Sequence, residues 1–299
     1  MHKYGVSFSI KQCRNFGLDW RATLEHTLGN LGVRRFRLMS YWNEHETGQG
    51  KYDFTALDEQ IKLISTYSGE ISLCLGVRQP RWPENHWPDW AWDLDSSGRE
   101  RALLNYLEVV VERYKDESSI TSYQLENEAL LEQFGERSDV DRRRLNLEFE
   151  LIKKLDPNKP IIMTTSTSWG IPVRKPIPDI VGFSYYQTVY NNGQYNLSLH
   201  RPWLDKLRAR TIKLIHQKPS FIHELQAEPW GPKNIWEMPL DEQFKSMSLA
   251  QLKENVRQAN ATKLNPIDLW GVEWWYWLKT QHNHPEFWSY AKELINNPT

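Results

Sequence analysis

Residues 99–128, RERALLNYLEVVVERYKDESSITSYQLENE, contain one helix and the strand that follows it, and their reading decides the fold. Leu103, Leu104, Leu107, Val110, Val111 and Tyr114 recur at i, i+1, i+4, i+7, i+8 and i+11, the spacing of one apolar helical face. A β-type run then leads straight into Glu126, Asn127 and Glu128 before the chain returns to leucine. The strand ends on three side chains able to exchange protons or to hydrogen-bond hydroxyls, and that ending needs a partner elsewhere in the chain.

The same alternation extends in both directions. Strand candidates are 4–10, 34–42, 70–77, 120–128 with its tail trimmed, 160–165, 180–186, 219–224 and 268–275. Helical patterns lie at about 19–31, 55–67, 99–114, 138–155, 202–217, 242–262 and 285–296, and Thr55 with Asp58 reads as an N-cap of the second. Between strands five and six the Pro-rich SWGIPVRKPIPD, residues 168–179, replaces a helix. Eight alternations with no linker composition predict an α/β fold, a single (β/α)8 barrel spanning residues 1–299 as one domain. A doubly wound open sheet is the alternative, and it lacks its glycine-rich phosphate turn after strand one.

Composition narrows the partners. Thirty-seven basic residues stand against 38 acidic ones, which argues against nucleic acid or an anionic membrane surface as the main partner. Cys13 and Cys74 are far apart and in no metal or redox spacing. MHKYGVSFSI carries no apolar run of signal-peptide length, and no stretch approaches a membrane span, so a soluble cytoplasmic protein is expected, or a secreted one if a leader has been removed. The aromatic content, with 15 Trp and 13 Tyr, exceeds ordinary core needs and suits the flat faces of sugar rings.

In a (β/α)8 barrel the chemistry sits at the C-terminal ends of the strands. Those ends collect Arg37, Trp42, Arg78, Asn127, Glu128, Tyr186, Glu224 and the EWWYWLK tryptophans. No thiol–histidine pair, serine elbow or HExxH zinc motif is among them, and the two histidines of HNH at 282–284 read as solvated rather than as metal ligands. No metal and no cofactor are expected. Two carboxylates on different strands are what glycosidic bond cleavage needs: one protonates the leaving oxygen, the other attacks the anomeric carbon. Asn127, beside Glu128, suits the sugar 2-hydroxyl.

Asn-Glu ending strand four and Glu ending strand seven resemble the clan of retaining β-glycosidases on (β/α)8 barrels. FRLMSYW resembles the strand-two Arg-Leu-x-x-x-Trp of glycoside hydrolase family 5, bringing in Arg37 and Trp42. WNEHETGQGKYDF and YQLENE are similar to segments of families 35 and 42, and GFSYYQ to the G-I-N-Y-Y-T of family 1. The resemblance implies that Glu128 is the acid/base and Glu224 the nucleophile, with a carboxyl separation of about 5–5.5 Å. It further implies that Tyr186 contacts the nucleophile, that Arg37 keeps it ionised, and that Trp275 floors the sugar site. Family 5 barrels carry a histidine after strand three and His-x-Tyr on strand six. This chain has Gly76-Val77-Arg78 and Ser184-Tyr185-Tyr186 there, so the likeness is to the clan and not to one family.

The neighbours have plainer roles. Glu228, beyond the strand and before Pro229, reads as an outer-subsite or structural residue, and Glu126 as an ion-pair or packing residue. One of Trp274, Trp275 and Trp277 is expected to face the mouth. Trp82, Trp87, Trp90 and Trp92, in a Pro-rich loop, are expected to stack sugars of an oligo- or polysaccharide, with Arg78 reading a hydroxyl. The expected function is a retaining β-glycosidase acting on a β-linked glucan, mannan or galactoside. The alternatives are a carbohydrate-binding pseudoenzyme on the same barrel and a barrel enzyme of phosphate chemistry, for which the glycine-rich phosphate site and strand-end lysine are missing.

Overall fold

The computed structural model describes residues 3–132, 134–166, 170–198 and 201–297. Eight strands, β1 (Tyr4–Phe8), β2 (Arg35–Met39), β3 (Glu70–Leu75), β4 (Ile120–Leu125), β5 (Ile161–Thr165), β6 (Ile180–Tyr185), β7 (Ser220–Gln226) and β8 (Ile267–Trp270), form a closed barrel. Their order around it is β1-β8-β7-β6-β5-β4-β3-β2, with parallel pairing of β1 with β8, β8 with β7, β3 with β4 and β4 with β5. All five residues of β1, YGVSF, are buried, so both faces of that strand lie against protein, with the small Gly5 and Ser7 alternating with Tyr4, Val6 and Phe8. The chain is a single-barrel (β/α)8 fold.

Two compact units make up the chain, one from residues 1–36 and 182–299, the other from Arg37–Ser166 and Gly170–Val181. In the first, Arg35 binds Asp268 at 2.7 Å, and His223 Nδ1 meets the other carboxylate oxygen at 2.6 Å. Burial alone would raise the Asp268 pKa, but Arg35 and His223 outweigh it and hold it below the usual carboxylate range. A hairpin, Thr188–Asn191 with Gln194–Leu197, follows β6. In the second unit the helix Ser96–Tyr114 is capped by Asp95, which accepts the Gly98 N–H at 2.6 Å. Asp141 caps Arg142–Leu155 by accepting from Arg143 and Arg144.

Several element boundaries differ from the sequence reading, each for a local reason. β1 stops at Phe8 because the Ser9 hydroxyl accepts from Gln12 and starts the helix Ile10–Asn15. The helix at Thr55–Thr66 is not capped by Thr55; the Asp53 carboxylate accepts the Thr55 N–H at 2.9 Å. The single helix expected at 242–262 is two, Leu240–Ser246 and Leu249–Ala261, because Ser248 caps the second. The described part of the Pro-rich segment, 170–179, holds no helix; Ser168 and Trp169 lie outside the described residues. The largest change is at β8, which ends at Trp270. Gly271, at φ +136°, turns the chain into the helix Val272–Gln281, and EWWYWLK is helical rather than a strand end. A Cβ at Gly271 would lie 2.7 Å from Glu228 Cβ, so the turn requires glycine.

Candidate active site

In the second unit the end of β4 is held by backbone bonds. Glu126 N–H reaches Leu75 O at 2.9 Å, Asn127 N–H reaches Arg78 O at 2.6 Å, and Glu128 N–H reaches the Thr164 hydroxyl at 2.7 Å. Glu126 and Glu128 are left-handed, at φ +48° and +46°, so the chain reverses sharply at each. The Asn127 carbonyl oxygen accepts from Arg37 Nη2 at 2.8 Å, Thr164 Oγ1 at 3.1 Å and Gln124 Nε2 at 3.3 Å. Three donors on one oxygen fix the amide's orientation, and its NH2 group points the other way, donating to Glu84 at 3.2 Å. Arg37 is fully buried and also donates to Gln124 at 2.6 Å, so it holds Asn127 and offers no surface to a sugar. Glu128 is half-buried.

In the first unit Glu224 lies on β7, which continues two residues past the expected end. Gln226 explains the extension: its side-chain oxygen accepts the N–H groups of Gln187 and Thr188 at 2.9 and 3.0 Å, and its amide donates to Thr188 O at 2.6 Å. That clasp fixes the segment after β6 and with it Tyr186, whose hydroxyl donates to Glu224 Oε1 at 2.5 Å. The Tyr186 ring meets Trp230 edge-on at 5.4 Å. Glu228 is buried as well.

Most of the expected aromatic platforms lie elsewhere. Trp275 has no exposed surface, and its indole N–H donates to Ala227 O at 2.7 Å. Trp274 is equally buried and bonded to Gln243, and Trp277 stacks on Phe16, so none of the three faces open solvent. The helix is buried on every face, which a count of tryptophans in one segment does not reveal. Trp42 is buried under Trp87, Trp90 and Tyr106 and bonds Glu46 at 2.6 Å; it packs and presents no face to a sugar. Trp87, 3% exposed, packs against Trp42 and Trp92 and anchors the loop. Trp90 bonds Glu46 O, while Trp82 is 46% exposed. Arg78 is buried with Nε on Asn127 O and Nη1 on Phe134 O, so it secures the backbone rather than reading a hydroxyl. The eighth strand ends at Trp270, and the glycine directly after it was the signal for that end. Of the histidines in HNH, His282 packs on Trp277 and His284 bonds Glu286.

Gly76 is a further constraint on the β4 corner. At φ +99° it lets the Glu126 carboxylate pass over the backbone, and a Cβ there would stand 2.4 Å from Glu126 Oε1. Gly76→Ala is expected to lower stability by about 2–3 kcal/mol through left-handed strain and this clash. Thermal denaturation showing no change would remove the constraint.

No protein-family profile and no curated protein matches the chain. Solved structures do. A β-galactosidase from the Antarctic haloarchaeon Halorubrum lacusprofundi superposes with TM-score 0.60 at 15% identity, covering 90% of this chain and 52% of that one. A GH5_18 protein from Bifidobacterium longum subsp. infantis gives 0.63 at 14% identity, covering 90% and 69%. An exo-β-1,4-mannosidase from Opitutaceae bacterium strain TAV5 gives 0.58 at 14% identity, covering 90% and 51%. The chain thus spans about half the length of the first and third of these. At such identities the likeness establishes the shared fold, a (β/α)8 barrel. Among the described residues no helix is long and apolar enough to cross a membrane.

Proposed function

We propose that the chain is a retaining glycoside hydrolase that cleaves β-linked oligo- or polysaccharide with Glu128 and Glu224 and without a cofactor. The observation that carries it is the Tyr186 hydroxyl donating to Glu224 at 2.5 Å, on a strand of a barrel whose β4 ends in an oriented Asn127 and a half-buried Glu128. Glu224 attacks the anomeric carbon as Glu128 gives its proton to the departing oxygen, and a glycosyl-enzyme forms. Glu128, now a carboxylate, takes a proton from water, which attacks the same carbon and releases Glu224. Tyr186 steadies the negative charge of Glu224 before attack and after release. The fixed Asn127 amide has a second N–H to donate to the sugar 2-hydroxyl. The reading requires the two carboxyls to stand about 5–5.5 Å apart.

The names of barrels of the same fold support the substrate class of this reading. These barrels include a β-galactosidase, an exo-β-1,4-mannosidase and a GH5_18 protein solved with Manb1-4GlcNAc. A panel of aryl β-D-glycosides with β-glucan, mannan and galactan oligomers, its products followed by chromatography, tests the reading. Binding of an oligomer without cleavage of any would make the chain a carbohydrate-binding pseudoenzyme.

The choice between a chain and a single sugar rests first on Trp82, the most exposed tryptophan of its loop, since Trp87 is buried and Trp90 and Trp92 are half-buried. Stacking a sugar ring on an indole face is worth about 0.5–1.5 kcal/mol. Trp82→Ala is therefore expected to lower kcat/KM for a tetrasaccharide by about 2- to 13-fold and to leave an aryl monoglycoside almost unchanged. Equal losses on both would show that Trp82 only packs, as it does edge-on against Phe134 at 5.8 Å.

A further inference from the structure

Behind the β4 corner lies a buried acid pair that the mechanism does not use. The carboxyls of Glu126 and Glu148 are within hydrogen-bonding reach of each other, and neither has appreciable exposed surface. Glu126 accepts the N–H of Val77 at 2.8 Å and that of Arg78 at 2.5 Å, both from the segment following β3. Glu148, on the helix Arg142–Leu155, takes Arg144 Nε on Oε1 at 3.1 Å, while its Oε2 has no hydrogen-bond acceptor role filled. A cavity of about 10 Å³, room for one water, adjoins them and is lined by Arg78, Asp139, Asp141 and Arg144 as well.

Two carboxylates in contact cannot both ionise in such a place. Glu126 faces two backbone donors and needs both oxygens as acceptors, so it carries the charge. Glu148 then carries the proton, and its otherwise idle Oε2 becomes the O–H that donates to Glu126. Charge supports this count: the cations Arg78 and Arg144 balance Glu126 and Asp139, with Asp141 at the rim as a helix cap. Burial pushes both acids up, and Glu148 well above the usual range because the charge of Glu126 adds to its burial.

We propose that the Glu126–Glu148 pair is a positioning clamp for Glu128: a shared proton ties the β4 corner to the segment after β3 and to the helix Arg142–Leu155, and so aims the general acid. The proposal rests on the glycosidase reading. Two left-handed residues flank Asn127, and a corner strained in that way keeps its shape only if its surroundings enforce it. The anchors that do so include the Glu126 carboxylate on Val77 and Arg78, the Asn127 N–H on Arg78 O, and the Glu128 N–H on Thr164. The clamp supplies the first of them.

The test compares two glycosides of the same sugar, one with a dinitrophenyl leaving group that departs without a proton and one with an alkyl group that needs one. In Glu126→Gln an NH2 replaces an acceptor among three donors. Its kcat/KM on the alkyl glycoside is expected to fall at least about 10-fold, while kcat/KM on the dinitrophenyl glycoside, which reports the glycosylation step alone, stays within about 3-fold. Glu148→Gln, whose amide still donates to Glu126, is expected to keep both within about 3-fold, whereas Glu148→Ala follows Glu126→Gln. Equal losses on both glycosides in Glu126→Gln would overturn the clamp in favour of plain structural damage. Infrared difference spectra supply a readout that does not depend on turnover. At neutral pH the wild type shows the carbonyl band of a protonated carboxylic acid that Glu128→Gln keeps and Glu148→Gln lacks; absence of such a band also overturns the clamp. Wild type cleaving neither glycoside sinks the glycosidase reading instead, and the pair then stands or falls on the band.

Discussion

Glu224→Ala is expected to lower turnover by about 10⁴-fold or more and to recover activity in azide, yielding the glycosyl azide of inverted configuration. Removing the nucleophile leaves a space into which a small anion fits, and the anion attacks the anomeric carbon from the face the carboxylate used. The proton still comes from Glu128, so only the attacking step changes hands. Glu228→Ala is the control, since Glu228 lies four residues on and is buried too. Azide rescue of Glu228→Ala and not of Glu224→Ala would move the nucleophile to Glu228 and leave the Tyr186 contact without a catalytic role.

Glu128→Ala is expected to show the opposite stereochemistry and a dependence on the leaving group. With a poor leaving group kcat/KM should fall by about 10²- to 10⁴-fold, the range of a lost general acid. A dinitrophenyl glycoside departs unaided, so glycosylation continues while its hydrolysis slows, and the glycosyl-enzyme accumulates. Azide then attacks that intermediate in place of water and gives the retained glycosyl azide. An inverted product, or equal losses on good and poor leaving groups, would remove Glu128 from the acid/base role. The two variants together distinguish the carboxylates by product configuration, which misfolding cannot imitate.

The parts legible in the sequence were those written in local pattern. The i, i+4, i+7 recurrence from Leu103 to Tyr114 needs only its own helix to be read, and the barrel followed from eight such alternations. The sites of Asn127, Glu128, Tyr186 and Glu224 at or near strand ends were legible for the same reason, because a strand's end is set by its own residues and the turn after it. Even there one glycine mattered: Gly271 ends β8 and sends EWWYWLK into a helix, and reading past it misplaced Trp275.

Burial was not legible, because it depends on what arrives from elsewhere in the chain. Trp42 and Trp87 look like sugar platforms in sequence, yet they are covered by Trp90, Trp92 and Tyr106 from the loop and helix beyond. Arg78 looks like a hydroxyl reader until its donors are found on the backbone of Asn127 and Phe134. Glu126 and Glu148 stand 22 positions apart in the chain and form one acid pair only because the residues after β4 and the helix Arg142–Leu155 line one cavity. Local spacing told where the chain turns and which residues stand at the turns. Desolvation, which decides whether an indole is a platform or a core residue and which of two acids keeps its proton, came only with the tertiary packing, because water is excluded by the whole fold and not by a residue's neighbours in sequence.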